Sequence, residues 1–294
     1  MLGVIIPAED DQDQEPKTDT RSYQSNNSTT IKPTINGKQR PKRLSGIDPQ
    51  CKVLNNTILP QVFDWRLQGD GKLISPVRDQ GPCGSCWTFA TASAIESALI
   101  RSKKAPSNVQ LSEQQLVNCA KNNSNGDGCS GGSSYIGFNF AKANGMISQG
   151  EGQVGPRYEA KARTCNLKMP SSYRIKNFCL RSRYRYNKSE PKGRTERLTD
   201  DTLARALVQH GSLYTLVDAS PADYRNYRQG VMHVDGCNPN RVNHAVLLVG
   251  YNRTENSWII KNSWGTAWGE SGYFRLIQGK NMCGINTEIA WPLL

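Results

Sequence analysis

The chain has 294 residues, enough for one large domain or two modest ones. It carries 37 Lys and Arg against 25 Asp and Glu, so its formal net charge is +12. No apolar run approaches the length of a membrane-spanning helix, so the sequence predicts no membrane span.

Residues 1–50 are predicted to form a flexible segment in front of a folded domain of residues 51–294. Residues 9–50 are polar, poor in aromatic side chains and interrupted by prolines, which is typical of disordered chain. The apolar stretch 2–8 is shorter than the core of a signal peptide and is followed by acidic residues. The sequence leaves open whether a longer N-terminus precedes it.

The next element is a predicted helix that begins beside a cysteine. The run 87–100 is rich in alanine, contains no Gly or Pro and is apolar on most faces, which predicts a buried helix. Gly81, Pro82 and Gly84 interrupt the preceding loop, so Cys86 should lie at or near the first helical turn. The positive end of a helix favours a thiolate, and the thiolate is the form that attacks carbonyl groups.

Further along the chain stand residues with the chemistry that a cysteine nucleophile needs. His244 directly precedes a short apolar strand predicted at residues 246–251, so its imidazole would be rigidly mounted as a base. Asn262 would bind the other imidazole nitrogen, and Trp264 would cover that bond from water. Gln80, six residues before the cysteine, would donate its amide to a developing oxyanion, together with the backbone N–H of the cysteine itself.

Each of these residues also has a plainer interpretation. Cys83 and Cys86 could form a thioredoxin-type redox pair, although the strand and βαβ context of such a pair are missing. His244 alone could be a core histidine, and Asn262 alone a hydrogen-bonding strut. Their joint occurrence in this order favours a catalytic set.

The other two histidines are interpreted as surface residues. His210 precedes Gly211 in a predicted loop, and no cluster of cysteines or carboxylates surrounds His233. We therefore expect no metal site and no cofactor.

These motifs resemble the papain family of cysteine proteases, and the resemblance extends from Leu59 to Leu294. It is carried also by the stretches 59–66, 111–119, 128–132 and 262–273. The resemblance implies an α+β fold with a helical lobe, a β-barrel lobe and the active cleft between them. It implies a cysteine endopeptidase that hydrolyses peptides and proteins through a Cys86–His244 thiolate–imidazolium pair. The alternative is a catalytically inactive papain-like binding protein.

The same resemblance implies a set of substrate-binding residues. They are Gly131, Gly132, Ser133, Ser134, Val242, Asn243, Ala245, Trp264 and Glu288. Glu288, five residues after Cys283, would lie at the base of the S2 pocket, which holds the second side chain before the scissile bond. A carboxylate there would pair with Arg or Lys, unless Glu288 points to solvent as most glutamates do. The segment 120–128 is short and contains no histidine, so the cleft should be open at both ends.

Nine cysteines are present, and removing Cys86 leaves an even number. The resemblance implies the pairs Cys83–Cys129, Cys119–Cys165 and Cys237–Cys283. The remaining Cys51 and Cys179 would form an extra pair, similar to one in the mite group 1 allergen proteases. The alternative is that Cys51 is removed with a pro-segment and that Cys179 stays free.

An even number of paired cysteines is typical of an oxidising compartment, so we expect secretion or the lysosomal or endosomal lumen. Acceptor triplets for N-glycosylation occur at Asn26, Asn27, Asn55, Asn122, Asn187 and Asn252. No helical inhibitory pro-domain is recognisable, so residues 1–50 are interpreted as the remnant of a pro-segment. The basic run 38–43 is either a processing point of a zymogen or a solvated linker.

The positive charge is concentrated in one region. Residues 157–197 hold thirteen Lys and Arg against three Asp and Glu. This region could bind polyanions, or it could simply be a solvated basic surface. No oligomeric state is predicted.

Overall fold

The computed structural model of the chain describes residue 3 and residues 49–120, 128–149, 155–166, 168, 171–183 and 198–294. Of the predicted disordered residues 9–50, all but the last two lie outside these residues, as does most of the segment 120–128. Residues 49 and 50 were wrongly predicted as disordered, because they belong to a short 3₁₀ helix, Pro49–Cys51. The described helices are α1 (Cys86–Arg101), α2 (Glu113–Cys119), α3 (Ser134–Asn144), α4 (Asp200–His210) and α5 (Ala222–Arg225). The described strands are β1 (Val62–Asp64), β2 (Asn177–Ser182), β3 (Leu213–Val217), β4 (Val231–Met232), β5 (His244–Asn252), β6 (Ser257–Lys261), β7 (Tyr273–Ile277) and β8 (Glu288–Leu293).

Alanine-rich composition and serine caps explain where the helices form and begin. Every residue of α1 from Cys86 to Ile100 is buried, in agreement with its continuous Ala-rich composition. The Ser112 hydroxyl accepts a hydrogen bond from Gln115 N at the start of α2. Ser133 does the same for α3, and such serine caps satisfy backbone N–H groups that the helix leaves open.

Eight strands build one sheet in the order β2-β8-β3-β5-β6-β7-β4, with β1 added to β5. β5 and β6 are antiparallel neighbours, and Leu247 lies opposite Lys261. In an antiparallel pair the first residue of one strand lies at the same edge as the last residue of the other. The start of β5 at His244 therefore lies close to the residue that follows β6, Asn262.

The sheet is covered on both faces, so the described residues form two hydrophobic cores. Leu247 and Val249 of β5 belong to the core beneath α1. Val246 and Leu248 belong to the core on the opposite face, which includes α4 residues. This alternation explains why β5 is a continuous apolar run, because a strand buried on both sides needs apolar residues at every position. The α+β fold with a helical part and a sheet part is confirmed.

The segment before β1 is bound to strand β2 and to helix α4. Cys51 is joined to Cys179 of β2 by a disulfide. The Gln209 side chain accepts from Leu54 N at 2.9 Å and donates to Leu54 O at 2.9 Å. We call residues 49–60 the N-terminal strap.

One sequence expectation is wrong here. His210 is the last residue of α4 rather than part of a loop, and its ring stacks on Trp291 with centroids 4.6 Å apart. Its Nε2 lies 3.2 Å from Lys52 O, and burial lowers the pKa of this imidazole. The error arose because a single His-Gly pair is compatible with either a loop or the end of a helix.

Within the described part of the chain, no helix has the length and apolarity to cross a bilayer.

Candidate active site

Cys86 is the first residue of α1, as its position in the sequence predicted. All nine cysteines lie among the described residues, and Cys86 is the one left free. The backbone N–H of Ala245 donates to Cys86 Sγ at 3.4 Å. The start of β5, which carries His244, therefore lies directly against the thiol.

The hydrogen bond between His244 and Asn262 determines which imidazole nitrogen can act as a base. His244 Nε2 lies 2.7 Å from Asn262 Oδ1. Ser263 N also donates to that oxygen at 2.8 Å, which identifies it as the amide carbonyl. An amide oxygen only accepts, so Nε2 carries the hydrogen and Nδ1 of the neutral ring is unprotonated. Among the described residues, Nδ1 finds no hydrogen-bond partner.

Aromatic side chains enclose this hydrogen bond. The Trp264 ring lies 4.8 Å from the His244 ring, at an interplanar angle of 32°. The Tyr224 ring packs against the rings of both Trp264 and Trp268. Asn262 is 3% exposed, so water has little access to the bond that orients the imidazole.

Burial disfavours the charged form of both Cys86 and His244. It raises the pKa of the Cys86 thiol, although N–H donors from Ala245 and Gly3 lower it. Burial also lowers the pKa of His244 to about 4, against the opposing effect of the bond to Asn262. Burial therefore favours the neutral form of both groups in this structure.

Gln80 is held from several sides in the turn that ends at the cysteine. Its Nε2 donates to Cys83 O at 2.9 Å, and its Oε1 accepts from Ser263 Oγ at 2.7 Å. Its backbone N also donates to Ser263 O at 2.9 Å. The side-chain amide is thereby fixed within the turn that leads to Cys86.

The predicted glycine segment binds the backbone of Gly3 beside Cys86. Gly132 N donates to Gly3 O at 3.0 Å, and Gly3 N–H donates to Cys86 Sγ. A Cβ on Gly3 would lie 1.8 Å from Gly84 O, so no side chain fits there. A Cβ on Gly132 would lie 2.4 Å from the Trp87 ring. The close approach of the Gly84 backbone at Gly3, and of the Trp87 ring at Gly132, is the physical reason for glycine at these positions.

Glu288 lies inside the protein. It is completely buried, and Ser134 Oγ donates to its Oε1 at 2.5 Å. Together with burial, its charge raises the pKa of Tyr214. The alternative that Glu288 points to solvent is wrong. The predicted pocket walls, Ser133, Ser134, Val242 and Ala245, are buried as well.

The side chain of Asn243 is occupied by other groups. Its Nδ2 donates to Asp218 Oδ1 at 3.0 Å and to Ser220 Oγ at 2.5 Å. Its Oδ1 accepts from Ala219 N at 2.9 Å. These bonds fix the backbone directly before His244. The hydroxyl of Ser133, another predicted substrate-binding residue, is also occupied, because it accepts a hydrogen bond from Ile136 N at the start of α3.

Sequence analysis missed a buried cluster of ions between the two parts of the fold. Arg78 makes two hydrogen bonds to Glu96 of α1, at 2.7 and 2.8 Å, and approaches Glu113 Oε1 at 2.8 Å. Lys261, at the end of β6, donates to Ser75 and Ser93 hydroxyls at 3.1 Å each. A charge inside an otherwise uncharged, buried helix or strand was the available signal, because charged side chains are rarely buried without a partner.

Two members of this cluster titrate far from their ordinary range. Burial raises the pKa of Glu113 from 4.5 to about 7, although Arg78 opposes this. Burial, with the charge of Arg78, lowers the pKa of Lys261 from 10.5 to about 7. Since Lys261 directly precedes Asn262, the cluster supports the residue that orients His244.

Four disulfides form in the structure. They join Cys51 to Cys179, Cys83 to Cys129, Cys119 to Cys165 and Cys237 to Cys283. Because Cys83 is bonded to Cys129, it does not cycle with Cys86 as a redox pair would. No group of His, Cys, Asp and Glu within the described ranges could hold a metal ion.

Comparisons with known proteins agree with this geometry. The sequence model of a family described as papain family cysteine protease matches residues 59–293. Cathepsin 7 of Rattus norvegicus is 36% identical over 247 residues, which cover 81% of this chain and 67% of that protein. The structure of digestive procathepsin L2 proteinase from Tenebrio molitor larval midgut superimposes with a TM-score of 0.68 at 32% identity, over 81% of this chain and 70% of that one. A structure from a study of antibody cross reactivity between the mite allergens Blo t 1 and Der p 1 gives a TM-score of 0.69 at 30% identity, over 83% and 74% of the two chains.

Proposed function

This chain belongs to the papain family of cysteine proteases and is a cysteine endopeptidase, and we propose that Cys86 is its nucleophile and His244 its general base. One observation carries the assignment. The bond from His244 Nε2 to Asn262 Oδ1 leaves Nδ1 unprotonated, on a strand whose next residue donates to the Cys86 sulfur. Nδ1 is therefore the nitrogen able to take the thiol proton.

The reaction follows from these positions. The thiol proton of Cys86 first passes to His244 Nδ1, and the resulting thiolate then attacks the scissile carbonyl carbon. Gln80 Nε2 and the Cys86 backbone N–H stabilise the oxyanion that develops on the carbonyl oxygen. His244 then gives its proton to the leaving amine, and a thioester remains. Water, deprotonated by the same nitrogen, hydrolyses this acyl-enzyme and restores the thiol.

The thiolate–imidazolium form requires a change in the cleft. With Gly3 over the sulfur, burial raises the pKa of Cys86 and lowers the pKa of His244, which opposes the ion pair. When the N-terminal segment leaves and water enters, the cost of charging the pair falls, and the positive end of α1 favours the thiolate. We propose that the ion pair forms in this open state.

Substitution kinetics test the assignment. Cys86→Ala and His244→Ala should abolish hydrolysis of an internally quenched peptide without changing the fold. Asn262→Ala should weaken it less, because nucleophile and base survive. Gln80→Ala should lose about 10²–10³ in kcat, the usual cost of one oxyanion donor. Turnover at the wild-type rate by Cys86→Ala would overturn the proposal.

Glu288 is proposed to read the second side chain before the scissile bond. Its carboxylate is buried beside Ser134, so a substrate cation reaching it would form a charge-assisted bond in a dry pocket. Substrates that differ only in Phe or Arg at that position test this, with wild type and Glu288→Ala. The Arg substrate should be cleaved by wild type and should lose most of its kcat/KM in the variant, while the Phe substrate should not. Equal cleavage of the Arg substrate by both enzymes would contradict the role.

Residues 1–50 are proposed to act as a pro-segment that occupies the cleft. The support is Gly3, whose backbone bonds Gly132 and Cys86 where a substrate would bind. Gly3→Val should expel the segment, because its Cβ would meet Gly84 O. Labelling of Cys86 by a peptidyl epoxide should then be faster in the unprocessed variant than in the unprocessed wild type. Equal labelling rates would refute the contact.

Processing is proposed at the basic run 38–43, since the Cys51–Cys179 disulfide holds the N-terminal strap on the domain. N-terminal sequencing of active protein should then give a start between residue 44 and Cys51. A start after Cys51 would contradict it. Four disulfides favour an oxidising location, either outside the cell or in the lysosomal or endosomal lumen.

Residues 157–197 are proposed to bind polyanions, although 184–197 lie outside the described residues. Exposed cations at Arg157, Lys161, Lys168, Arg174 and Lys176 support this. Retention on heparin at about 0.15 M salt, reduced when these residues are changed to Gln, is the expected result. Equal elution of both proteins would contradict it.

A further inference from the structure

We infer that Tyr158 is a positioning residue for the oxyanion site, acting through the backbone of Gln80. This inference rests on the proposed function of Gln80 as an oxyanion donor. Tyr158 belongs to the described segment 155–166 and carries none of the sequence motifs. Its hydroxyl lies between the two ends of the turn that runs from Gln80 to the nucleophile.

The direction of the hydrogen bonds at Tyr158 follows from its single hydroxyl hydrogen. Tyr158 O–H donates to Gln80 O at 2.7 Å, and a carbonyl oxygen can only accept. The contact of 2.5 Å between Ser85 Oγ and the Tyr158 oxygen must then have Ser85 as its donor. Ser85 stands at the N-cap of α1 but makes no side-chain capping bond, which agrees with this use of its hydroxyl. A proton-ordered chain thus runs from Ser85 through Tyr158 to Gln80.

Tyr158 is itself held rigidly. Its ring packs edge-on against Phe89 of α1, with centroids 4.8 Å apart at 83°. The next residue, Glu159, donates its backbone N–H to Gln114 Oε1 of α2 at 2.8 Å. The hydroxyl therefore belongs to a fixed support, which is what an orienting contact needs.

The Tyr158 contact completes the fixation of Gln80. The sheet part of the molecule holds Gln80 through Ser263, at the backbone N and at Oε1. The helical part holds the backbone carbonyl through Tyr158. Without the hydroxyl, the peptide after Gln80 could rotate, and its side-chain amide would lose alignment with a developing oxyanion. Alignment errors of this kind affect the transition state more than substrate binding.

Tyr158→Phe tests this because it removes one oxygen and keeps the ring on Phe89. Tyr251→Phe is the matched control, since Tyr251 O–H also donates to a backbone carbonyl, Pro60 O at 3.0 Å, on β5 far from its His244 end. We expect kcat of processed Tyr158→Phe to fall about tenfold, well under the 10²–10³ of a lost oxyanion donor, with KM within about twofold. Tyr251→Phe should keep the wild-type kcat. Alkylation of Cys86 by iodoacetamide, which forms no oxyanion, should proceed at the wild-type rate in both variants.

A double-mutant cycle separates positioning from general structural support. If Tyr158 acts through Gln80, Tyr158→Phe should have no further effect on kcat in a Gln80→Ala background. An equal fall of kcat in both backgrounds, or an unchanged kcat in the wild-type background, would overturn the inference and leave the catalytic assignment intact. Full kcat in Gln80→Ala alone would instead overturn the oxyanion assignment, and this inference with it.

Discussion

Replacing Cys51 and Cys179 together by alanine would release the N-terminal strap from β2. The experiment belongs in a Cys86→Ala background, which prevents self-digestion and leaves no new free thiol. The stabilising effect of the bond is expected to lie in the unfolded chain, whose freedom it restricts. The native contacts of the strap, such as the two bonds between Gln209 and Leu54, would remain available.

The magnitude follows from the covalent path that the disulfide closes. Cys51 and Cys179 are 128 residues apart, but two other disulfides shorten the path in the unfolded chain. It runs from Cys51 through Cys83, Cys129, Cys119 and Cys165 to Cys179. Roughly 56 residues lie along it, and the chain-entropy relation then gives about 4 kcal/mol.

Urea unfolding followed by tryptophan fluorescence measures the effect. A loss of about 4 kcal/mol should lower the midpoint by roughly 1–2 M. Gln209→Ala in the same background is the control, because it loosens the strap without changing the covalent path, and it should cost about 1 kcal/mol. The reasoning fails if the double alanine variant loses less than Gln209→Ala does.

Three further results are expected. Asn262→Ala should narrow the pH range of kcat/KM, because the imidazole loses the bond that raises its pKa; an unchanged profile would contradict this. The raised pKa of Glu113 should make stability fall between pH 4.5 and 7, and the lowered pKa of Lys261 should make it rise between pH 7 and 10.5. Glu113→Gln should remove the fall in unfolding free energy between pH 4.5 and 7, which amounts to about 3 kcal/mol, and Lys261→Met should remove the rise above pH 7. Urea unfolding at a series of pH values measures both changes, and variants that keep the wild-type pH dependence would refute this. Gly132→Ala should raise KM for peptides, because its Cβ meets the Trp87 ring and shifts the backbone that binds substrate; an unchanged KM would count against that role.

The sequence predicted those parts of the site that lie in short local patterns. The helix after Cys86 was predictable because 87–100 has no helix breaker, and the strand after His244 because its residues are uniformly apolar. Contacts between residues from distant segments of the chain were not predicted. The Arg78–Glu113 contact and the Tyr158 bridge depend on how α1, α2 and a loop pack, and no local spacing encodes that.

Charge in a buried element was the signal that sequence reasoning left unused. Glu96 lies inside a helix with no other charge before Arg101, and Lys261 directly follows three buried apolar residues of its strand. The error at His210 has a different origin, since a His-Gly pair is compatible with either a loop or the end of a helix. The state of Cys86 also depends on tertiary structure, because Gly3 contributes to its covering from the far end of the chain.

The most direct test of the Cys86–His244 pair is the pH dependence of Cys86 alkylation by iodoacetamide in the processed enzyme. The pair predicts rapid alkylation already below about pH 6, since the thiolate persists while His244 is protonated. In His244→Ala the rate should instead rise only near the pKa of an ordinary thiol, about 8.5. Identical profiles for the two proteins, both rising above pH 8, would contradict the account.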